Sequence, residues 1–490
     1  MSNFIKAMQQ ESSLKLTENG ALAHNTSGNN LVDLYSTIGA SRNKPENDLV
    51  DLFLRAYGDS PLAALRILFY ARDIRGGLGE RETFRTIVRY LANCPDKKEN
   101  LKVNLHLFAE YGRWDDLYSL VGTDLEEDAF AVLLNQFTID LDNMENKKPI
   151  SVLGKWLKST NTSSAESRKL GRLTAKKFGL SEKYYRKALS SLRKYIDVTE
   201  VKMSNGDFDS IDFSKVPSIA MHKYQEAFKR RSPELYEKYI KDLSEGKTKI
   251  NASTLYPYNI VENAVNGYKR ISEQDELQWK ALPNYVEGEN NFVIMADVSG
   301  SMYGRPMATS VGLAIYFAER NKGAFHNTFM TFTANPTFVT LKDNWSLADK
   351  VRHTLKADWG MNTNLTAAFR QILNVAVKNK ISKEEMPKAL IVVSDMEIDS
   401  CTQNNDRRFY DVMKSEYNEN GYDLPTLVFW NVDSRNDTFL ASADDKGVLL
   451  ASGQSASVFK SLCSGITKTA LELVMETVNS ERYSAIKLAE

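Results

Sequence analysis

Phe292-Val293-Ile294-Met295-Ala296-Asp297-Val298-Ser299-Gly300-Ser301 is the stretch on which the fold of this chain turns. Phe292 to Ala296 is apolar without alternation, the pattern of a strand covered on both faces. It runs directly into Asp-x-Ser-x-Ser, and Gly300 is expected to let the backbone turn so that Asp297, Ser299 and Ser301 converge on one point. One carboxylate and two hydroxyls are hard oxygen ligands, suited to Mg²⁺, which takes an octahedron of oxygens at ~2.1 Å. A lone match of this kind is often no more than a serine-rich turn whose aspartate caps the next helix.

Two further segments argue against that plainer reading. Trp359 to Leu365 is a polar loop opening a helix over 366–378, and it offers the hydroxyl of Thr363, with Thr366 as a weaker rival. Ala389 to Ser394 is a second buried strand, and it ends on Asp395. In open parallel sheets ligands gather beyond the carboxyl ends of the strands, where the strand order reverses. Three oxygen-bearing segments at strand ends and helix starts therefore predict one site for Mg²⁺ or another divalent cation, built by Asp297, Ser299, Ser301, Thr363 and Asp395. Strands are expected near 292–297, 326–333, 336–341, 389–395, 424–431 and 447–451, with helices over 308–319 and 466–478 among those filling the gaps.

In this order and context the three segments resemble the von Willebrand factor A-type domain and its metal-ion-dependent adhesion site. The resemblance implies a Rossmann-like α/β domain over 286–490 whose cation has an open position for a partner's acidic side chain. Two departures stand out: the family's Gly-Gly-Thr reads Met361-Asn362-Thr363, and its Thr-Asp-Gly reads Ser394-Asp395-Met396. The second keeps the aspartate and puts only the turn after it in doubt. No glycine-rich phosphate loop of the Gly-x-Gly-x-x-Gly or Gly-x-x-x-x-Gly-Lys-Ser/Thr kind occurs in a fitting context.

The 490 residues leave room for two to four domains, and a 42% hydrophobic content with mean hydropathy −0.40 is ordinary for globular chains. No apolar run approaches 18 residues and the N-terminus has no signal-peptide core, so a cytoplasmic protein without a membrane span is expected. Cys94, Cys401 and Cys463 are odd in number and far apart, which argues against a disulfide framework and a structural zinc site. The five histidines form no ligand pattern, and no nucleophile–base arrangement can be picked out, so a non-catalytic protein is expected.

Net charge is zero, but residues 151–250 carry 22 Lys+Arg against 12 Asp+Glu, while 101–150 carry 4 against 10. The basic surplus is densest from Ser164 to Lys194, where Arg168, Lys169, Arg172, Lys176, Lys177, Arg186 and Lys187 are candidate RNA contacts. Tyr184, Tyr185 and Tyr195 are interleaved, as in grooves where cations meet phosphates and rings meet bases. The competing reading is a pair of solvated amphipathic helices with lysines in water and tyrosines in the core. Charge alone favours that second reading.

Residues 1–45 are polar and asparagine-rich and are expected to form a flexible arm. From Glu46 the pattern is helical: Pro61 to Ala71, Glu80 to Leu91, Leu101 to Tyr111 and Asp115 to Leu120 are short-looped amphipathic segments, as in HEAT-like α-helical repeats. Further helices are expected over 218–229 and 234–244, parted by Pro233. The chain is thus read as α plus α/β, a helical-repeat domain over 46–285 followed by the α/β domain. Ala71-Arg72-Asp73-Ile74-Arg75-Gly76-Gly77-Leu78-Gly79-Glu80-Arg81 and Tyr111-Gly112-Arg113-Trp114-Asp115-Asp116-Leu117 resemble motifs of the TROVE module of Ro autoantigen-like proteins. They are closer still to an uncharacterised Ro-like family of plants and bacteriophages. That resemblance implies binding of single-stranded or structured RNA beside Mg²⁺-dependent recruitment of a partner. The alternative is a metal-dependent protein-interaction or assembly factor without RNA. Taken residue by residue, the Arg75–Gly79 loop reads as a helix–helix turn and Trp114 as a packing anchor.

Overall fold

The computed structural model describes residues 14–18, 22–286, 291–333, 335–357, 364–398, 409–459, 462 and 468–490. Two compact units emerge: Met1–Ile67 with Ile250–Ser480, and Leu68–Lys249 with Glu481–Glu490. The first is built on a mixed sheet, the second is helical, so the chain is α plus α/β.

The sheet unit begins with a short antiparallel pair, β1 (Leu14–Leu16) and β2 (Leu22–His24). Its main sheet has six strands: β3 (Phe292–Ala296), β4 (Thr328–Thr331), β5 (Phe338–Thr340), β6 (Ala389–Ser394), β7 (Thr426–Asn431) and β8 (Val448–Ser452). Their order is β5-β4-β3-β6-β7-β8, parallel except for the β4–β5 pair. β3, β6, β7 and β8 are buried at every position, which explains why their sequences do not alternate. The chain leaves β3 toward one edge and returns at β6 toward the other, so the order reverses between β3 and β6. Their carboxyl ends therefore flank the crevice in which open α/β sheets hold ligands.

Of the expected arm over 1–45, residues 1–13 and 19–21 lie outside the described residues, and the described part holds regular structure. Within it the helix Asn30–Ile38 is capped by the Asn29 side chain and buries Val32, Leu34 and Ile38 completely. The Ser452 hydroxyl donates to Tyr35 O and accepts from Gly39 N–H, both at 3.0 Å, tying that helix to the end of β8. Eight of the nine residues of this helix are buried, polar Asp33, Ser36 and Thr37 among them, so polar composition concealed the burial.

The segment just before the expected boundary near 285 belongs to the compact sheet unit. Helices Pro257–Val265 and Glu273–Lys280 pack within the sheet unit. A Cβ on Gly312 of helix Arg305–Arg320 would lie 3.1 Å from the Pro257 backbone, so the missing side chain permits that approach. Trp279 Nε1 donates to Glu319 at 2.8 Å, and Glu276 accepts from the N–H groups of Leu347 and Ala348 at the start of helix Leu347–Leu355.

In the helical unit the longer helices are Glu82–Ala92, Glu126–Glu145, Ala165–Lys177, Glu182–Tyr195, Ser218–Arg231 and Pro233–Ser244. Where helices were expected over 101–111 and 115–120, the chain breaks into Lys98–Lys102, Phe108–Tyr111 and the 3₁₀ segments Leu105–Leu107 and Trp114–Leu120. Asp116 causes the second break: its Oδ2 accepts from the Arg113 N–H (2.9 Å) and from Arg72 Nε (2.8 Å). Arg85 reaches Asp116 Oδ1 at 2.8 Å, completing an ionic cluster in which Arg72 is 2% and Asp116 0% exposed. Gly112 is required there, because a Cβ would stand 2.4 Å from Asp116 Oδ2. The two quoted motifs thus meet in one buried packing device.

The Arg75–Gly79 loop is a turn, as its local reading held. Gly77 and Gly79 N–H groups return to Asp73 O, and a Cβ on Gly77 would lie 2.0 Å from Tyr70 O. Asp73 is paired with Arg482 at 2.9 Å, and Tyr483 stacks on Tyr111, so residues 481–490 complete the helical unit. Among the described residues no helix is long and apolar enough to cross a membrane.

Candidate functional site

Beyond β3, Asp297 continues the ladder, its N–H donating to Val393 O at 3.1 Å. Its carboxylate is fully buried. Oδ1 accepts from the Ser299 N–H at 2.8 Å, and Oδ2 accepts from the Ser394 hydroxyl at 2.6 Å, joining the ends of β3 and β6 directly. Ser299 and Ser301 hydroxyl oxygens lie 3.0 Å apart, with Ser301 exposed. The turn does not depend on Gly300, which opens the 3₁₀ segment Gly300–Met302 without a positive φ. The positive φ falls at Gly304 (+89°), where the chain enters helix Arg305–Arg320.

Asp395, just past β6, is buried, and its Oδ1 accepts from Glu397 N–H at 3.2 Å. Met396 holds φ +67°, the left-handed conformation that the glycine of the resembled motif would adopt at no cost. The turn put in doubt by that substitution therefore keeps the backbone shape of a glycine turn. Asp297 and Asp395 come close enough to interact: burial, and then the neighbouring Asp395 charge, push the Asp297 carboxyl up to about 6.

Thr363, and the loop Trp359–Thr363, lie outside the described residues. Thr366 is in the first turn of helix Leu365–Asn379, whose N-cap Asn364 donates its N–H to Thr333 O just past β4. The Thr366 hydroxyl is buried and has no hydrogen-bond partner among the described residues. A buried orphan hydroxyl costs on the order of 1–3 kcal/mol, so one in this place fits a missing ligand.

The donor set fits a hard cation on two counts. Adjacent oxygens in an octahedron of ~2.1 Å bonds are ~3.0 Å apart, the separation of the two serine hydroxyls. Among the described residues, the two buried carboxylates Asp297 and Asp395 also lack a full complement of positive charge. Sequence reasoning missed a cation at this site, Arg435, whose guanidinium pairs with Asp395 and lies 3.7 Å from Asp433. The signal for it was the polar run Asn431-Val432-Asp433-Ser434-Arg435 at the carboxyl end of β7, the strand next to β6. Among the described residues no group of three or more His, Cys, Asp or Glu side chains is placed to hold a metal. A set rich in hydroxyls is a different kind of site.

The basic residues of the helical unit divide by role. Arg168 donates to the carbonyls of Thr162 (2.8 Å) and Ser163 (2.9 Å), holding a loop. Lys177 is paired with Glu126 at 2.6 Å and also with Glu127, and Arg172 lies 3.6 Å from Glu182. Lys169, Lys176, Arg186 and Lys187 are exposed. Tyr185 is core, Tyr184 is 54% exposed, and Tyr195 donates to Lys148 O at 3.0 Å. Some tyrosines and cations thus build the unit, and others face solvent.

The family model of the domain of unknown function DUF2828 matches residues 17–151 and 150–290, and that of the domain of unknown function DUF7788 matches 291–487. An uncharacterized protein of Acanthamoeba polyphaga mimivirus is 30% identical over 487 residues, a match covering 91% of this chain and 84% of the viral one. The strand that opens the sheet and carries Asp297 begins the second matched region, while the buried Arg72–Asp116 cluster falls in the first. This chain therefore belongs to the DUF2828 family, with a DUF7788 domain following in the same polypeptide.

Proposed function

We propose that this chain is a non-catalytic binding protein of Ro-like organisation. In this reading the sheet unit is a von Willebrand factor A-type domain with a metal-ion-dependent adhesion site, and the helical unit is a HEAT-like TROVE module that binds RNA. The observation that carries the proposal is the convergence at the β3–β6 crevice of Asp297, Ser299, Ser301 and Asp395, with the two hydroxyls 3.0 Å apart. With Thr363 or Thr366 these side chains would hold Mg²⁺. A divalent cation bound there supplies an open coordination position for a partner's Asp or Glu. The protein's own part is to keep the donors fixed: Ser394 and the Ser299 N–H hold the Asp297 carboxylate, and the Met396 turn aims Asp395.

RNA binding is supported separately, by the exposed Lys169, Lys176, Arg186 and Lys187 and the exposed Tyr184 of one helix pair. Without RNA, the same sheet-end site makes the chain a metal-dependent assembly factor.

The test is calorimetric titration of Mg²⁺ into the EDTA-stripped full chain and into Ser301→Ala, with anisotropy of a mixed-sequence single-stranded RNA across a salt series. Mg²⁺ binding that Ser301→Ala weakens at least tenfold supports the site. Identical binding by both proteins, or none by either, removes it. RNA affinity that falls steeply with salt supports the second ligand; no binding at low salt leaves the assembly reading.

A further inference from the structure

The helical unit holds a second built site, a cleft of about 790 Å³ lined by Lys155, Trp156, Lys158, Arg186 and Arg193, with Glu200 as its one acidic side chain and several serine and threonine hydroxyls. Clefts of ~300–1,000 Å³ are the size that small ligands occupy. We infer that this cleft seats one unpaired nucleotide of an RNA strand, its base against Trp156 and its phosphate among Lys155, Lys158 and Arg186. The inference rests on the RNA reading above and narrows it to one place and one chemistry.

The wall of the cleft is fixed before any ligand arrives. Arg193 donates to Gly154 O (2.9 Å), Leu157 O (2.7 Å) and the Ser159 hydroxyl (2.8 Å), while the Tyr185 hydroxyl donates to Lys158 O at 2.9 Å. Two glycines bring the wall against its helices. A Cβ on Gly154 would lie 2.9 Å from Leu192 Cβ, and one on Gly171 only 2.5 Å from Ser159 O. Arg193 is thereby committed to the backbone, so it supplies field rather than contact.

The remaining cations are held loosely. Lys155 lies 3.3 Å from Glu200, Lys158 lies 3.6 Å from Asp115, and Arg186 is exposed. Loose pairs of this kind cost little to exchange for a phosphate. The Arg113 guanidinium lies 4.5 Å from the Trp156 ring centroid, which steadies the indole as a stacking surface. Cations and hydroxyls beside one aromatic face, in a concavity too small for a duplex, match a splayed nucleotide. An acidic peptide would use the cations but gain little from the indole.

The test uses the full chain and a fluorescent ten-nucleotide single-stranded RNA at fixed moderate salt. The variants are Arg186→Glu, Lys158→Gln, Trp156→Leu and Trp156→Phe, with exposed Lys229→Glu/Arg230→Glu as a control outside the cleft lining. Arg186→Glu, Lys158→Gln and Trp156→Leu are each expected to weaken binding about tenfold or more, and Trp156→Phe to restore most of it, which a folding defect would not do. AMP should compete at high concentration, while a poly-glutamate peptide of equal charge should compete less well. RNA binding that all cleft variants retain overturns the cleft and leaves the RNA reading standing. Absence of RNA binding by the wild-type chain overturns both. Equal loss in Trp156→Leu and Trp156→Phe, or stronger competition by poly-glutamate, overturns the nucleotide assignment.

Discussion

Replacing Asp297 by asparagine removes one buried negative charge while keeping the shape that holds it. The asparagine oxygen can still accept from Ser299 N–H, and its amide can donate to the Ser394 hydroxyl, which rotates to accept. In the cation-free protein the Asp297 carboxyl is pushed up to about 6 by burial and then by Asp395, against an ordinary value of 3.8. At 1.36 kcal/mol per unit, holding that group ionised at neutral pH costs about 3 kcal/mol. The sign comes from proton uptake. Between 3.8 and about 6 the folded state binds more protons than the unfolded chain, so this contribution is fully present below pH 3.8 and lost as pH rises through 6. Asp297→Asn is therefore expected to stabilise the EDTA-treated protein at pH 7.5 and to flatten its pH dependence between 4 and 6. Hydrogen exchange of the β3 and β6 amides is the assay, because it reports on the sheet unit alone; protection should rise on the order of a hundredfold. In Mg²⁺ the difference nearly closes, since wild type gains about 2.7 kcal/mol at a cation concentration of 100 Kd and the variant gains nothing. Equal destabilisation of the variant in EDTA and in Mg²⁺ would refute the reasoning and make Asp297 a purely structural cap.

Gly77→Ala places a Cβ 2.0 Å from Tyr70 O, so it should destabilise the helical unit by at least ~2 kcal/mol, read as earlier urea unfolding with Mg²⁺ affinity unchanged. Arg72→Met leaves Asp116 buried with Arg85 as its remaining guanidinium; a loss of roughly 3–5 kcal/mol is expected from the same unfolding curves. Changing exposed Lys169, Lys176 and Lys187 to glutamine should reduce the slope of log affinity for single-stranded RNA against log salt by about 2, at ~0.7 per lost phosphate contact. An unchanged slope would take the RNA off that surface.

What could be read from the sequence, and what could not, divides by the range of the interactions. β3 and β6 were legible because strands buried on both faces lose their polar alternation, and Asp297 and Asp395 stand at their ends. Nothing local announces that Ser394 bonds Asp297 across 97 positions, or that Arg435 meets Asp395 from beyond β7. The division into units hid for the same reason. Helix Asn30–Ile38 joins the sheet unit through Ser452, and Arg482 joins the helical unit through Asp73, over more than 400 positions each. Charge was the weakest guide. Lys177 and Lys176 are neighbours in one basic run, yet the first neutralises Glu126 and the second faces water.

Arg435 also bears on how the sheet-end site could work. Its guanidinium supplies one positive charge where two buried carboxylates and Asp433 gather, so it stabilises the site without a cation and opposes one that arrives. Removing it as Arg435→Gln should tighten Mg²⁺ binding several-fold while lowering the stability of the EDTA-treated protein. The two effects must move in opposite directions, because one charge serves both states. Weaker Mg²⁺ binding together with lower stability would mean that Arg435 shapes the site for the cation rather than standing in its place.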